Sequence, residues 1–151
     1  MRRIAASPGT PWLVAGAWLS FAASALHLGC ILGGPAWYRF FGAGEGVAQA
    51  AERGEWLPTL LTLAIAVVLA LWGAYALSGA GRIVRLPLPT FCLAGITAVY
   101  LLRGLILIPL WVLRPELVDA FAVWSSLIVL AYGLVHAVGL TRAWPALRAR
   151  A

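Results

Sequence analysis

The chain reads as an all-α membrane protein: a bundle of four transmembrane helices, both termini on the cytoplasmic side (N-in, C-in), with an outer cap between helices 1 and 2. Three observations carry that expectation. Of 151 residues, 63% are hydrophobic and only 11% charged, against roughly 25% charged in a soluble domain. The few charges cut the chain into long neutral runs. All 11 basic residues are arginine, and most gather at three places. A water-soluble globular domain is thereby excluded, and so is disorder, which needs low hydrophobicity. A pI near 10.4 usually suggests nucleic acid. Here no nucleic-acid partner is expected, because the arginines bracket apolar stretches instead of forming one basic face.

Residues 4–38, 56–81 and 120–141 hold no charged side chain, and 86–113 hold only Arg103. A helix needs about 20 apolar residues to cross a hydrocarbon core of about 30 Å. Each run is long enough to cross once and too short to cross twice. The expected spans are 12–33, 56–78, 88–112 and 119–141, within a single domain 1–151, with the cap at 34–55. A β-barrel is disfavoured, since Leu60 to Leu71 shows no alternation of polarity.

Arginine placement sets the expected orientation. Arg2 and Arg3, Arg82 and Arg85, and Arg142, Arg148 and Arg150 fall on one side with no acid. The other side holds Arg39, Arg53 and Arg114 with all five acids, Glu45, Glu52, Glu55, Glu116 and Asp119. Trp12 and Trp144 would anchor the inner interface, and Trp37, Tyr38, Trp56 and Trp111 the outer one. Met1-Arg2-Arg3 and Ala23-Ser24-Ala25 also fit a cleaved secretion signal, and His27-Leu28-Gly29-Cys30 a lipoprotein signal. The apolar run continues from Leu26 through Ala36, so helix 1 is read as a retained span.

Close helix approach in lipid depends on small residues. Helix 2 carries Ala66, Ala70, Ala74 and Ser78 at four-residue spacing; Gly16, Ser20 and Ser24 recur on helix 1, and Gly133 and Ala137 on helix 4. The cap opens aromatic at Trp37–Phe41 and turns glycine-rich, with residues 47–55 expected as a short surface helix. No strand precedes these glycines and no Gly-Lys-Ser/Thr follows, so they form no phosphate loop.

Arg103 is the residue out of place. Arginine near the bilayer centre costs about 2.5–3.5 kcal/mol on insertion scales and usually faces the bundle interior or water. Arg103 lies 11 residues before Arg114, roughly 16 Å at 1.5 Å per residue. Counting from each span's centre, His27, Ser24, Thr62, Ser125 and Ser126 fall at similar heights, about 2–9 Å outside the midplane. Tyr100 should lie one turn below Arg103 on the same face. Pro109 should free a backbone carbonyl nearby, and Glu45 is a loop carboxylate within reach of such a layer. Two readings follow. Arg103 is a structural group satisfied by serines, carbonyls and Glu45; or it lines an outer cavity, binds an anionic or carbonyl-bearing group, and has His27 beside it to exchange a proton. His136, near the inner end of helix 4, is expected as a satisfied interfacial side chain.

No catalytic residue and no metal or other cofactor is assigned. His27 and His136 lie at different heights, which excludes an intramembrane haem pair within one chain. Cys30 and Cys92 fall near opposite faces, too far apart for a disulfide, and there is no Cys-x-x-Cys. No His, Cys, Asp or Glu cluster within a span suggests a metal. Phe41-Gly42-Ala43-Gly44-Glu45-Gly46, Tyr75–Gly81 and Tyr100-Leu101-Leu102-Arg103-Gly104 resemble patterns in small uncharacterised four-span bacterial inner-membrane proteins. The resemblance implies the threading and carries no biochemical role. The lysine-free Ala/Arg/Gly/Leu bias fits a GC-rich bacterial genome. The leading function is therefore to bind, and by extension translocate, a small anionic or lipid-like molecule at the Arg103 layer. Behind it stands an accessory or scaffolding subunit of a membrane complex, a homo-oligomer or one with a partner protein. Third comes a membrane enzyme using His27 as acid or base.

Overall fold

A computed structural model of the chain describes residues 3–149. Met1, Arg2, Arg150 and Ala151 lie outside the described residues, so two of the arginines in the orientation argument have no described position. Among the described residues there is no strand. The helices are α1 (Thr10–Phe40), α2 (Glu45–Glu52), α3 (Leu57–Gly79), α4 (Pro89–Leu105), α5 (Leu107–Leu113) and α6 (Ala120–Arg148), with a 3-10 turn at Pro115–Leu117. Four segments are long and apolar enough to cross a membrane: Thr10–Phe40, Leu57–Gly79, Pro89–Leu113 and Ala120–Arg148. No more than 28% of the most apolar stretch of any span is buried within the protein. Side chains such as Leu32, Leu102 and Val112 stand outward, where acyl chains rather than water suit them.

The observed spans differ from the expected ones where local chemistry intervenes. α1 is broken at Gly34, whose φ of 63° and ψ of −150° leave the helical region just before Pro35. A residue ahead of proline is pushed out of the α region, and glycine adopts positive φ without steric cost. The break therefore falls at the boundary expected between span and cap. The third span is interrupted at Ile106, three residues before Pro109, because proline offers no N–H to the Leu105 carbonyl and its ring crowds that turn. α6 runs past residue 141 to Arg148. Hydropathy marks how much chain prefers lipid, whereas the helix continues through Arg142 and Arg148, which lie over the rings of Trp12 and Trp144.

The chain divides into two compact units, one of the chain up to Ser20 together with Trp72 onward, the other of Phe21–Leu71. In the first unit α4 packs along α6. Two glycines permit this. A Cβ on Gly104 would lie 2.6 Å from Leu130 Cα, and one on Gly133 would lie 2.9 Å from the Leu101 nitrogen. Leu13, Leu93 and Leu147 are fully buried, and Gly79 and Gly139 leave the room that Leu93 and Leu13 occupy.

In the second unit, Ser24 donates to the Ala66 carbonyl at 2.7 Å, so the small stripes of α1 and α3 meet there. After the Gly34 break, Cys30, Tyr38 and Ala48 form a small core with Phe41, Val47 and Ala51. Trp37 folds back over Gly29, where a Cβ would touch the ring at 3.0 Å. α2 begins two residues earlier than expected and ends at Glu52. Its first-turn Glu45 is forked by Arg39 at 2.9 and 2.8 Å, and Arg39 also reaches Glu52 at 2.8 Å. The clamp thus holds both ends of α2.

Candidate functional site

Arg103 occupies the last turn of α4. Positive charge is favoured there, because the terminal carbonyls of a helix carry partial negative charge. The close α4–α6 approach at Gly104 and Gly133 brings the guanidinium to the start of α6. Its Nη1 donates to Ser126 Oγ at 3.2 Å, and its Nη2 donates weakly to Ser125 Oγ at 3.5 Å. Ser125 in turn donates to the Ala122 carbonyl at 3.3 Å, and Asp119 fixes this end of α6 by accepting from the Ala122 N–H at 2.7 Å. Of the residues expected in one layer from all four helices, Arg103 is hydrogen-bonded to Ser125 and Ser126 alone. Ser126 is buried, whereas Arg103 is exposed. The reason lies on its own helix, since residues 100 and 104 face the packed side of α4 and position 103 is left at its edge.

Every described acid is committed elsewhere. Glu45 and Glu52 hold Arg39, Glu55 holds Arg53, Glu116 holds Arg114, and Asp119 caps α6. Glu45, expected as a partner for the layer, has both oxygens on Arg39, with Gln49 donating to one of them. Arg39, by hydrogen bonding, holds the Glu45 and Glu52 carboxyls below the usual carboxylate range, and Arg114 does the same to Glu116.

Tyr100 has separate surroundings from Arg103, contrary to the expected shared face. It is buried, its hydroxyl bonds Ser20 Oγ at 2.9 Å, and its ring meets those of Trp72, Tyr132 and His136 at 5.0–5.7 Å. Sequence reasoning missed this polar-aromatic core and placed His136 at a wet interface. Instead His136 is fully buried. Its Nδ1–H donates to the Tyr132 carbonyl at 2.8 Å, while Nε2 is buried without a partner among the described residues. Gly16 makes room for the imidazole, since a Cβ there would lie 2.8–3.1 Å from its ring atoms. The available signal was the four-residue spacing of Gly16 with Ser20 and of Tyr132 with His136.

The remaining expected residues are spent within the second unit. His27 is half-buried and its Nδ1–H donates to the Ala23 carbonyl one turn back at 2.8 Å. Ser24 gives its proton to Ala66 and Thr62 to the Pro58 carbonyl at 2.8 Å. Ser24 and His27 therefore form no nucleophile–base pair, and His27 has no second titratable group in hydrogen-bond reach among the described residues. Cys30 and Cys92 are free thiols. No group of three His, Cys, Asp or Glu side chains among the described residues could hold a metal ion. Comparison of the chain with protein families, with curated proteins and with solved structures finds no match.

Proposed function

We propose that this chain is an integral protein of a bacterial inner membrane that binds a small anionic or lipid-like molecule at Arg103, Ser125 and Ser126. It is threaded with both termini on the cytoplasmic side and its cap outside, and translocation of the bound molecule is the fuller form of the activity. One observation supports this most: a guanidinium within the Pro89–Leu113 span whose described partners are two hydroxyls, while every described carboxylate is engaged elsewhere. A cation at such depth is strongly favoured by an anion beside it. The serines supply neutral donors, and Pro109 leaves the local backbone irregular.

The exposure of Arg103 favours a second reading, an accessory subunit. Leu102, Trp124 and Ile128 nearby are exposed at 69%, 67% and 53%, an apolar surface that a partner helix bearing a carboxylate would also suit. Oleate titrated into the detergent-purified protein, read by native mass spectrometry, separates the two. Ligand binding predicts oleate adducts that Arg103→Leu abolishes and that Arg103→Lys weakens about tenfold, because a point charge replaces the planar fork. Unchanged adducts on Arg103→Leu would sink the site, and a stoichiometric copurifying protein lost in the same variant would establish the subunit reading.

A further inference from the structure

At the opposite end of α4 from Arg103, within the first unit, lies a groove of about 770 Å³ between the α3–α4 connection and the end of α6. Its walls are Leu88, Phe91, Ala94, Trp144 and Leu147, and Arg85 and Arg148 flank it. Both arginines have defined positions. Arg85 donates to the Leu147 and Ala149 carbonyls at 2.8 and 2.9 Å, ending α6 against the connection. The Arg148 guanidinium lies 4.9 Å over the Trp144 ring. Leu88 sits between two prolines in the left-handed region at φ 48°, and it and Phe91 are exposed at 70% and 79%. No acid lines the groove.

We propose that this groove is a binding site for an anionic phospholipid of the surrounding bilayer. The positions supply the argument. The groove lies where the third span begins at Pro89 and the fourth ends at Arg148, the level at which headgroups meet acyl chains. Two cations without an acid among them complement a phosphodiester. The apolar wall of Leu88, Phe91 and Ala94 takes the glycerol and first acyl carbons, which a free phosphate would leave unused. A zwitterionic lipid gains less, because its own cation is repelled by Arg85 and Arg148. Trp144 presents an amphipathic ring at the same level.

The test is native mass spectrometry of the full chain in nonionic detergent, titrated with phosphatidylglycerol, phosphatidylcholine or inorganic phosphate. Phosphatidylglycerol should be retained in preference to phosphatidylcholine, and inorganic phosphate should not displace it. Arg148→Gln, at an exposed position, should weaken phosphatidylglycerol on the order of fivefold, the contribution of one interfacial arginine. Ala94→Trp, which fills the groove and keeps both charges, should remove the preference. Arg103→Leu should preserve it, so failure here is distinct from failure at Arg103. Equal retention of the two lipids, displacement by phosphate, or an undiminished preference in Arg148→Gln or Ala94→Trp would each overturn the proposal.

Discussion

Arg103 and Gly104 are neighbours with opposite duties. Gly104 has no side chain, so the α6 backbone at Leu130 comes close enough to set Ser126 against the guanidinium beside it. Gly104→Ala should therefore destabilise the protein by about 1–3 kcal/mol, since the clash is with backbone and no rotamer change relieves it. The same substitution at Gly95, also on α4, meets nothing within 4 Å. It should stabilise by about 0.5–1 kcal/mol through helix propensity alone. Thermal unfolding of the two variants in one detergent checks the contrast; equal shifts would mean that the α4–α6 seam is looser than described. His136 makes a related point: its buried imidazole, with one nitrogen unpartnered among the described residues, fits where Gly16 leaves it room and the Tyr100 ring lies 5.1 Å away.

Interruptions, more than helix lengths, define the elements. Gly34–Pro35 breaks α1 before its last residues up to Phe40, and the interruption at Ile106, one turn ahead of Pro109, divides α4 from α5. α2 packs Val47, Ala48 and Ala51 into the small core, and Arg39 ties it down at both ends through Glu45 and Glu52. Both carboxyls titrate below the ordinary glutamate value of 4.5. Groups with depressed folded-state values contribute stability above their unfolded values and lose it as pH falls through the folded ones. Opening of α2, read from hydrogen exchange at its amides once the intrinsic rate is corrected, should accordingly be independent of pH between about 5 and 8 and should increase at lower pH. Arg39→Gln should remove that acid-sensitive step. A step that persists in the variant would assign it to another group.

At the scale of the entire chain, four apolar segments of membrane length are what the protein presents to its surroundings. The threading proposed for them is testable by cysteine accessibility in a Cys30→Ser, Cys92→Ser background. Arg3→Cys and Ala149→Cys should be labelled from the same side of oriented membranes, and Glu52→Cys from the other. Labelling of Arg3→Cys and Glu52→Cys from one side would overturn the orientation drawn from the arginines.

Helical content, the four membrane-length segments, the span-to-cap boundary at residue 34 and a disturbed ladder near Pro109 were legible in the order of residues. Each depends on local properties: uncharged length, the stiffness of proline, the freedom of glycine. Depth counting along the helices set Arg103 level with Ser125 and Ser126, but equally with His27, Ser24 and Thr62, whose hydrogen bonds go elsewhere. Which way side chains turn was not legible. A soluble helix advertises its inner face by polarity, but a helix whose inner and lipid-facing sides are both apolar gives no such sign. Folding alone therefore assigned His136 to a dry core, Arg103 to an open edge, Glu45 to Arg39, and the end of α6 to a groove with Arg85.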